Sequence, residues 1–159
     1  EIARVQCRLW GTLIDVPLRI RAARAEDGRM IETIQAEAPE ASQWAVDEYA
    51  RYDVLVAECR GEVIGFLATR KTAPDEFEVL NMAVAKEWRG QGVARRLMSA
   101  AFEQMKGDIY LEVRESNRVA RNFYKVLGFI ELGGRKGYYP ALDGSNQYEV
   151  GIVMRYRKC

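Results

Sequence analysis

No histidine occurs among the 159 residues of this chain. That absence excludes Ser-His-Asp and Cys-His triads and histidine-ligated metals, and leaves acid–base work to Glu, Asp, Tyr, Lys or Cys. Cysteine is scarce as well. Cys7, Cys59 and Cys159 have neither metal-ligand spacing nor the look of a disulfide framework, so no metal is expected and a reducing cytoplasm is. Without a histidine to activate them, Cys7 and Cys59 read as core or surface thiols rather than nucleophiles. Charge of one sign is missing too: 24 basic residues against 23 acidic ones leave a net charge of +1, too weak a field to draw in nucleic acid or an anionic membrane. No run is long and apolar enough to span a bilayer, and the chain opens on Glu1 without a signal-peptide pattern. What is present, 48% hydrophobic residues over this length, suffices for one compact domain with a sizeable core. Binding must then come from a local site.

The richest local stretch is Arg89-Gly90-Gln91-Gly92-Val93-Ala94. It lies between an apolar strand-like run over residues 79–84 and a run in which Leu97, Ala100, Ala101 and Met105 recur at helical spacing. A strand that turns through two glycines into a helix leaves backbone N–H groups free at the positive end of the helix dipole, where a phosphate is cradled. A tight connection that needs only the freedom of the glycines fits the same letters. A P-loop is excluded because Val93-Ala94-Arg95 follows Gly92. The dinucleotide fingerprint is excluded because two glycines stand where it needs three, and in mid-chain. The ligand is therefore expected to be a phosphate carrier of another kind.

Around this turn the pattern predicts a mixed sheet with helices on both faces. Residues 2–16, around Gly11 and ending before Pro17, read as an extra strand pair or an extension, and residues 18–23 alternate like a strand. Glu26 and Asp27 open a helix with Met30, Ile31, Ile34 and Ala38 on its apolar face, ended by Pro39. A short second helix is expected over residues 42–51, anchored by Trp44 and Tyr49. Strands over 54–59 and 63–69 flank the hairpin loop Arg60-Gly61-Glu62, and a further strand reaches Val84. After the glycine turn and its helix come a strand over 109–113 and a helix from about Asn117 to Leu127, closed by Gly128. Strands over 129–132 and 148–156 are separated by a polar loop over 137–147.

From residue 79 to residue 140 the chain resembles the GCN5-related N-acetyltransferases, the GNAT family. Arg89-Gly90-Gln91-Gly92-Val93-Ala94 is similar to the family's Arg/Gln-x-x-Gly-x-Gly/Ala motif. Asn81-Met82-Ala83-Val84 resembles its cofactor-pairing strand. Asn117, Ala120 and Phe123-Tyr124-x-x-Leu127-Gly128-Phe129 resemble its later cofactor-binding helix. A closer likeness, to the RimI-like ribosomal-protein-alanine N-acetyltransferases, is carried by Leu111-Glu112-Val113-Arg114-Glu115-Ser116-Asn117 and by Arg135-Lys136-Gly137-Tyr138-Tyr139-Pro140. The chain departs from that group at Ala38-Pro39-Glu40-Ala41-Ser42-Gln43-Trp44, where the group carries a Pro-Trp-Ser type segment.

The resemblance implies an α/β (α+β) fold with a mixed, mostly antiparallel central sheet of about seven strands and about four helices. Residues 18–159 would form one domain, with 1–17 as an extension. It implies acetyl-CoA as cofactor. Met82, Ala83 and Val84 would pair with its pantetheine arm, and a backbone N–H near Val84 would polarise the thioester carbonyl. Gly90, Gln91, Gly92, Val93, Ala94 and Arg95 would hold the pyrophosphate, with Arg89, Arg95 or Arg96 neutralising charge. Asn117 and Tyr124 would complete the cofactor site from one helix face. Glu112 becomes the candidate base, its apolar strand desolvating the carboxylate, although the alternation alone equally allows an outward-facing charge. Tyr124 becomes the candidate acid. Tyr138 and Tyr139 become a substrate wall on a loop, or else simply pack it, with Glu40, Asp143 and Glu149 as weaker attractants for a cationic acceptor. The implied activity, in a monomer or homodimer, is acetylation of a protein's N-terminal α-amine by direct attack. A small amine such as an aminoglycoside, polyamine or amino acid is an alternative acceptor, and a non-catalytic acyl-CoA-binding domain an alternative class.

Overall fold

The computed structural model describes residues 4–9 and 12–158; Ile2, Gly11 and Cys159 lie outside them. The described residues form one eight-stranded sheet. Its strands are β1 (Arg4–Leu9), β2 (Thr12–Ala22), β3 (Asp53–Cys59), β4 (Glu62–Ala73), β5 (Glu76–Val84), β6 (Asp108–Arg114), β7 (Ile130–Pro140) and β8 (Tyr148–Tyr156), in the order β1-β2-β3-β4-β5-β6-β8-β7. The β5–β6 pair is parallel, whereas β1–β2, β2–β3, β3–β4, β6–β8 and β7–β8 are antiparallel. Three α-helices, α1 (Gly28–Ala36), α2 (Val93–Gln104) and α3 (Arg118–Val126), and short 3-10 segments complete the fold. The expected α/β class is what forms, with eight strands rather than about seven. The additional one is β1, from the stretch read as a strand pair or extension.

The chain divides into two compact units, one of residues up to 69 with Asn81–Gln104, the other of Arg70–Leu80 with residues from 105 on. In the first, β2 runs straight through Pro17, where the sequence suggested a break. The β1 ladder stops at Pro17 and the β3 ladder starts at Leu18, so the residue that lacks an N–H falls at the seam between two ladders. The β3–β4 hairpin closes through Arg60 and Gly61, both at positive φ, which is the twist a two-residue loop needs. Ile31 and Ile34 bury against Tyr49, Val56, Phe66 and Ala83, while Met30 stays 40% exposed, contrary to its expected place on the apolar face. Gln35 takes the inward position instead.

Asn81 and Gln35 together are why the second helix is shorter than expected, a 3-10 segment over Val46–Arg51. The Ser42 N–H donates to Asn81 Oδ1 (3.2 Å), Asn81 Nδ2 donates to Ser42 O (2.8 Å), and the Trp44 N–H donates to Gln35 Oε1 (3.3 Å). Backbone groups spent on side chains are lost to a helix. Asn81 Nδ2 also donates to Tyr49 Oη (2.9 Å), so a buried polar network fixes residues 42–49.

In the second unit, β6 alternates strictly: Ile109, Leu111 and Val113 are buried, and Tyr110, Glu112 and Arg114 occupy the other face. Strand β7 runs on to Pro140, so Tyr138 and Tyr139 lie on a strand and not on the polar loop expected over 137–147. Pairing of Tyr139 with Glu149 and of Pro140 with Tyr148 draws the segment into the sheet, past a register shift at residues 135–139 that absorbs Gly137 at φ +65°.

Candidate active site

In the first unit the turn ahead of α2 has the geometry of an anion cradle. Gly90 and Gly92 stand at φ +74° and +82°, where a side chain strains the backbone although nothing crowds the space a Cβ would fill. The first closed helical bond runs from the Arg96 N–H to Gly92 O (3.1 Å), so the N–H groups of Val93, Ala94 and Arg95 are those a helix start leaves without intrahelical partners. Gln91 Nε2 donates to Glu87 O (3.2 Å), and its Oε1 is buried without a partner. Arg89 braces the turn: Nε donates to Val84 O and Nη2 to Glu37 O, both at 3.0 Å. Arg95 and Arg96 are exposed. On β5, Ala83 is buried and Met82 and Val84 are half-buried.

In the second unit Glu112 is neither an outward charge nor a core residue. It lies on the face of β6 opposite Leu111 and Val113, yet its side chain is only 15% exposed. Its Oε2 accepts from Arg135 Nη1 at 3.0 Å, and its Oε1 is buried without a hydrogen-bond partner. The register explains the meeting. Gly151 of β8 pairs with Arg114 of β6 on one side and with Arg135 of β7 on the other. A Cβ on Gly151 would stand 2.1 Å from Glu112 Oε1, so the carboxylate reaches Arg135 only because residue 151 has no side chain.

The tyrosine pair completes this cluster. Tyr139 Oη donates to Glu112 O (3.4 Å), and the two tyrosine rings meet edge to face at 4.7 Å. The Arg135 guanidinium lies 3.9 Å from the Tyr138 ring centre and that of Arg114 4.6 Å from Tyr139. Burial first, then the Glu112 charge, pushes the Tyr139 phenol up to about 12. Glu149, a candidate attractant by sequence, is bound by Arg114 (2.9 Å) and the Ser116 N–H (3.3 Å). Burial works against its charged form, but these bonds hold its carboxyl below the ordinary value. Asp143 accepts from the Ser145 N–H within its own loop, and Glu40 is exposed.

Asn117 is the N-cap of α3, one residue before the helix, with Oδ1 accepting from the Ala120 N–H at 3.1 Å. That leaves its amide NH2 for a ligand. Tyr124, 7% exposed, packs edge to face against Phe123 and Phe129, and burial drives its phenol well above the usual value. Sequence reasoning assigned no role to Arg135 or Gly151. Gly151 does carry a hint, since a glycine inside a strand marks a close approach.

Residues 20–129 match the family model of the acetyltransferase (GNAT) family. A ribosomal protein bS18-alanine N-acetyltransferase from Haemophilus ducreyi is 35% identical over 109 residues, covering 66% of this chain and 74% of its own. An N-alpha-acetyltransferase from Sulfurisphaera tokodaii is 32% identical over 151 residues, covering 82% of this chain and 89% of its own. The crystal structure of the ribosomal-protein-S18-alanine N-acetyltransferase from Escherichia coli matches with a TM-score of 0.76 at 26% identity, over 88% of this chain and 93% of that one.

Proposed function

This chain belongs to the acetyltransferase (GNAT) family and is an acetyl-CoA-dependent N-acetyltransferase, and from that premise we propose that its acceptor is the N-terminal α-amine of a protein, with Glu112 as base and Tyr124 as acid. The single observation that carries the assignment of the base is the buried, unpartnered Glu112 Oε1 beside a glycine that makes room for it. The relatives named for N-terminal acetylation support the acceptor class.

The residues before α2 fit the donor: two glycines at positive φ and an open helix start suit a pyrophosphate, held by residues 90–95 with Arg95 or Arg96 nearby in sequence. When bound, acetyl-CoA supplies a thioester carbonyl open to attack by an amine. Glu112 Oε1 takes a proton from the acceptor's ammonium and leaves a lone pair on nitrogen. A phenol is protonated at neutral pH, and burial raises that of Tyr124 further, so a proton is in place for the departing sulfur. No covalent intermediate on the protein is needed.

The charges around Glu112 favour a peptide over a polyamine. Arg135 and Arg114 stand with Tyr138 and Tyr139 here, and the nearby Glu149 is already bound by Arg114. The second ammonium of a polyamine would face Arg114, whose acidic partner Glu149 is already engaged.

The test is turnover of acetyl-CoA against a panel of N-terminal peptides and small amines. Labelling of peptides that begin with Ala or Ser is expected. Activity confined to small amines would overturn the acceptor, and tight acetyl-CoA binding without any turnover would leave a non-catalytic binding domain.

A further inference from the structure

The base proposed above carries a cation. Arg135 Nη1 holds Glu112 Oε2 at 3.0 Å, and a guanidinium cannot give up its proton, so while it stays it compensates the carboxylate's charge and leaves Oε1 as the open oxygen. The two arginines of this cluster are held very differently. Arg114 is 11% exposed and tied down by Glu149 (2.9 Å) and Pro140 O (2.6 Å). Arg135 is 57% exposed, and beyond the carboxylate its side chain rests on the exposed ring of Tyr138. Apart from the Glu112 pair itself, it leaves without breaking a buried contact.

We propose that Arg135 is a displaceable cation that occupies Glu112 in the resting enzyme and is exchanged for the acceptor's ammonium, which makes it a specificity-determining residue. The proposal rests on the reading of Glu112 as the base. Exchange is physically favourable for one class of acceptor only. Removing a partner from a mostly buried carboxylate leaves an uncompensated charge, so a neutral amine or hydroxyl cannot take the place of the guanidinium, whereas an ammonium ion restores the pair. The departing side chain also uncovers a face of the Tyr138 ring for the first residues of the acceptor. The other charged or titratable groups around Glu112 stay in place: Arg114 on its own strand, Tyr139 on β7 and Glu149 on β8, the last bound to Arg114. The exchange leaves the net charge of the cluster unchanged.

As a built-in competitor, Arg135 weakens acceptor binding. In Arg135→Gln the KM for an alanine-starting peptide should fall about two- to five-fold, the worth of one half-exposed ion pair, while Arg135→Lys keeps the parental KM. Millimolar methylguanidinium should raise the KM of Arg135→Gln back, in competition with the peptide, and should leave the parent unaffected. An unchanged or higher KM in Arg135→Gln, or equal inhibition of both proteins, overturns the proposal. Failure of the functional reading is separable, because it shows as no turnover of any amine by the parent. In that case an NMR titration of methylguanidinium onto Arg135→Ala, with and without Glu112→Gln, reads the exchange directly. Binding that requires Glu112 supports it, and no binding refutes it.

Discussion

The glycine turn and the Glu112 cluster are built in opposite ways. The turn is one continuous run, residues 89–95, and its shape comes from the backbone: two residues at positive φ and the start of a helix, with two side chains, Arg89 and Gln91, bracing carbonyls. The cluster draws Glu112, Arg135, Tyr139 and Gly151 from three strands, and its shape comes from cross-strand register. Damage to the turn should therefore act through backbone conformation and donor affinity. Damage to the cluster should act through the position of one carboxylate.

The sharpest break between the two is Glu112→Gln, which keeps size and burial and removes the basic oxygen. We expect kcat to fall about 10²- to 10⁴-fold with the KM for acetyl-CoA nearly unchanged, measured by steady-state kinetics with an alanine-starting peptide. A kcat within a factor of about three of the parent would remove Glu112 from the chemistry. Gly151→Ala tests the cluster without touching a charged group. Its methyl would overlap Glu112 Oε1, and a carboxylate moved by about 1 Å should cost on the order of 10² in kcat. Retention of the parental rate in a folded Gly151→Ala protein would mean that register does not set the base.

That contrast also governs how much could be read from the letters. Gly90 and Gly92 announced a strand-to-helix turn because everything that shapes it lies within a few residues. The strands on either side followed for the same reason, from alternation. Residues 137–140 read as loop because of Gly137, and only the pairing of Tyr139 with Glu149 shows that the strand continues. Met30 was misplaced because helical spacing treats all apolar residues alike, whereas the inward position belongs to Gln35, which spends its amide on residues 44 and 49. Glu112 was visible through its motif, but its partner and its cradle lie 23 and 39 positions away in sequence, a distance that no periodicity spans.

The complementary break is made in the turn. Gly90→Ala and Gly92→Ala add a side chain where the space is open but φ is left-handed, so the cost is backbone strain of about 1 kcal/mol and not a clash. The turn then either relaxes or misdirects its N–H groups. The KM for acetyl-CoA should rise about ten-fold while kcat at saturation stays near the parent, the reverse of the pattern for Gly151→Ala. A loss confined to kcat would mean that the turn does not hold the donor.

The smallest effect on activity is expected where charge serves the scaffold alone. Arg21 donates to Asp27 at 2.7 Å and to Glu58 at 2.7 Å, with both Arg21 and Asp27 largely buried. The Arg21 bond, opposed by burial and aided by the Arg24 N–H, holds the Asp27 carboxyl below its ordinary value. A depressed carboxyl stabilises the fold at pH above its unfolded value, about 4, and that contribution is lost as pH falls through the lower folded value. Asp27→Asn removes the carboxylate while Glu58 still accompanies Arg21, so the expected loss is about 1–3 kcal/mol, read as a lower Tm at pH 7. The gap between variant and parent should narrow as the pH drops below about 4, where the parent's Asp27 also loses its charge. Turnover per folded molecule should match the parent, because Asp27 belongs to neither the turn nor the Glu112 cluster. A kcat loss at full folding would show that the scaffold charges and the chemistry are coupled, and that the division between the two kinds of site is too simple.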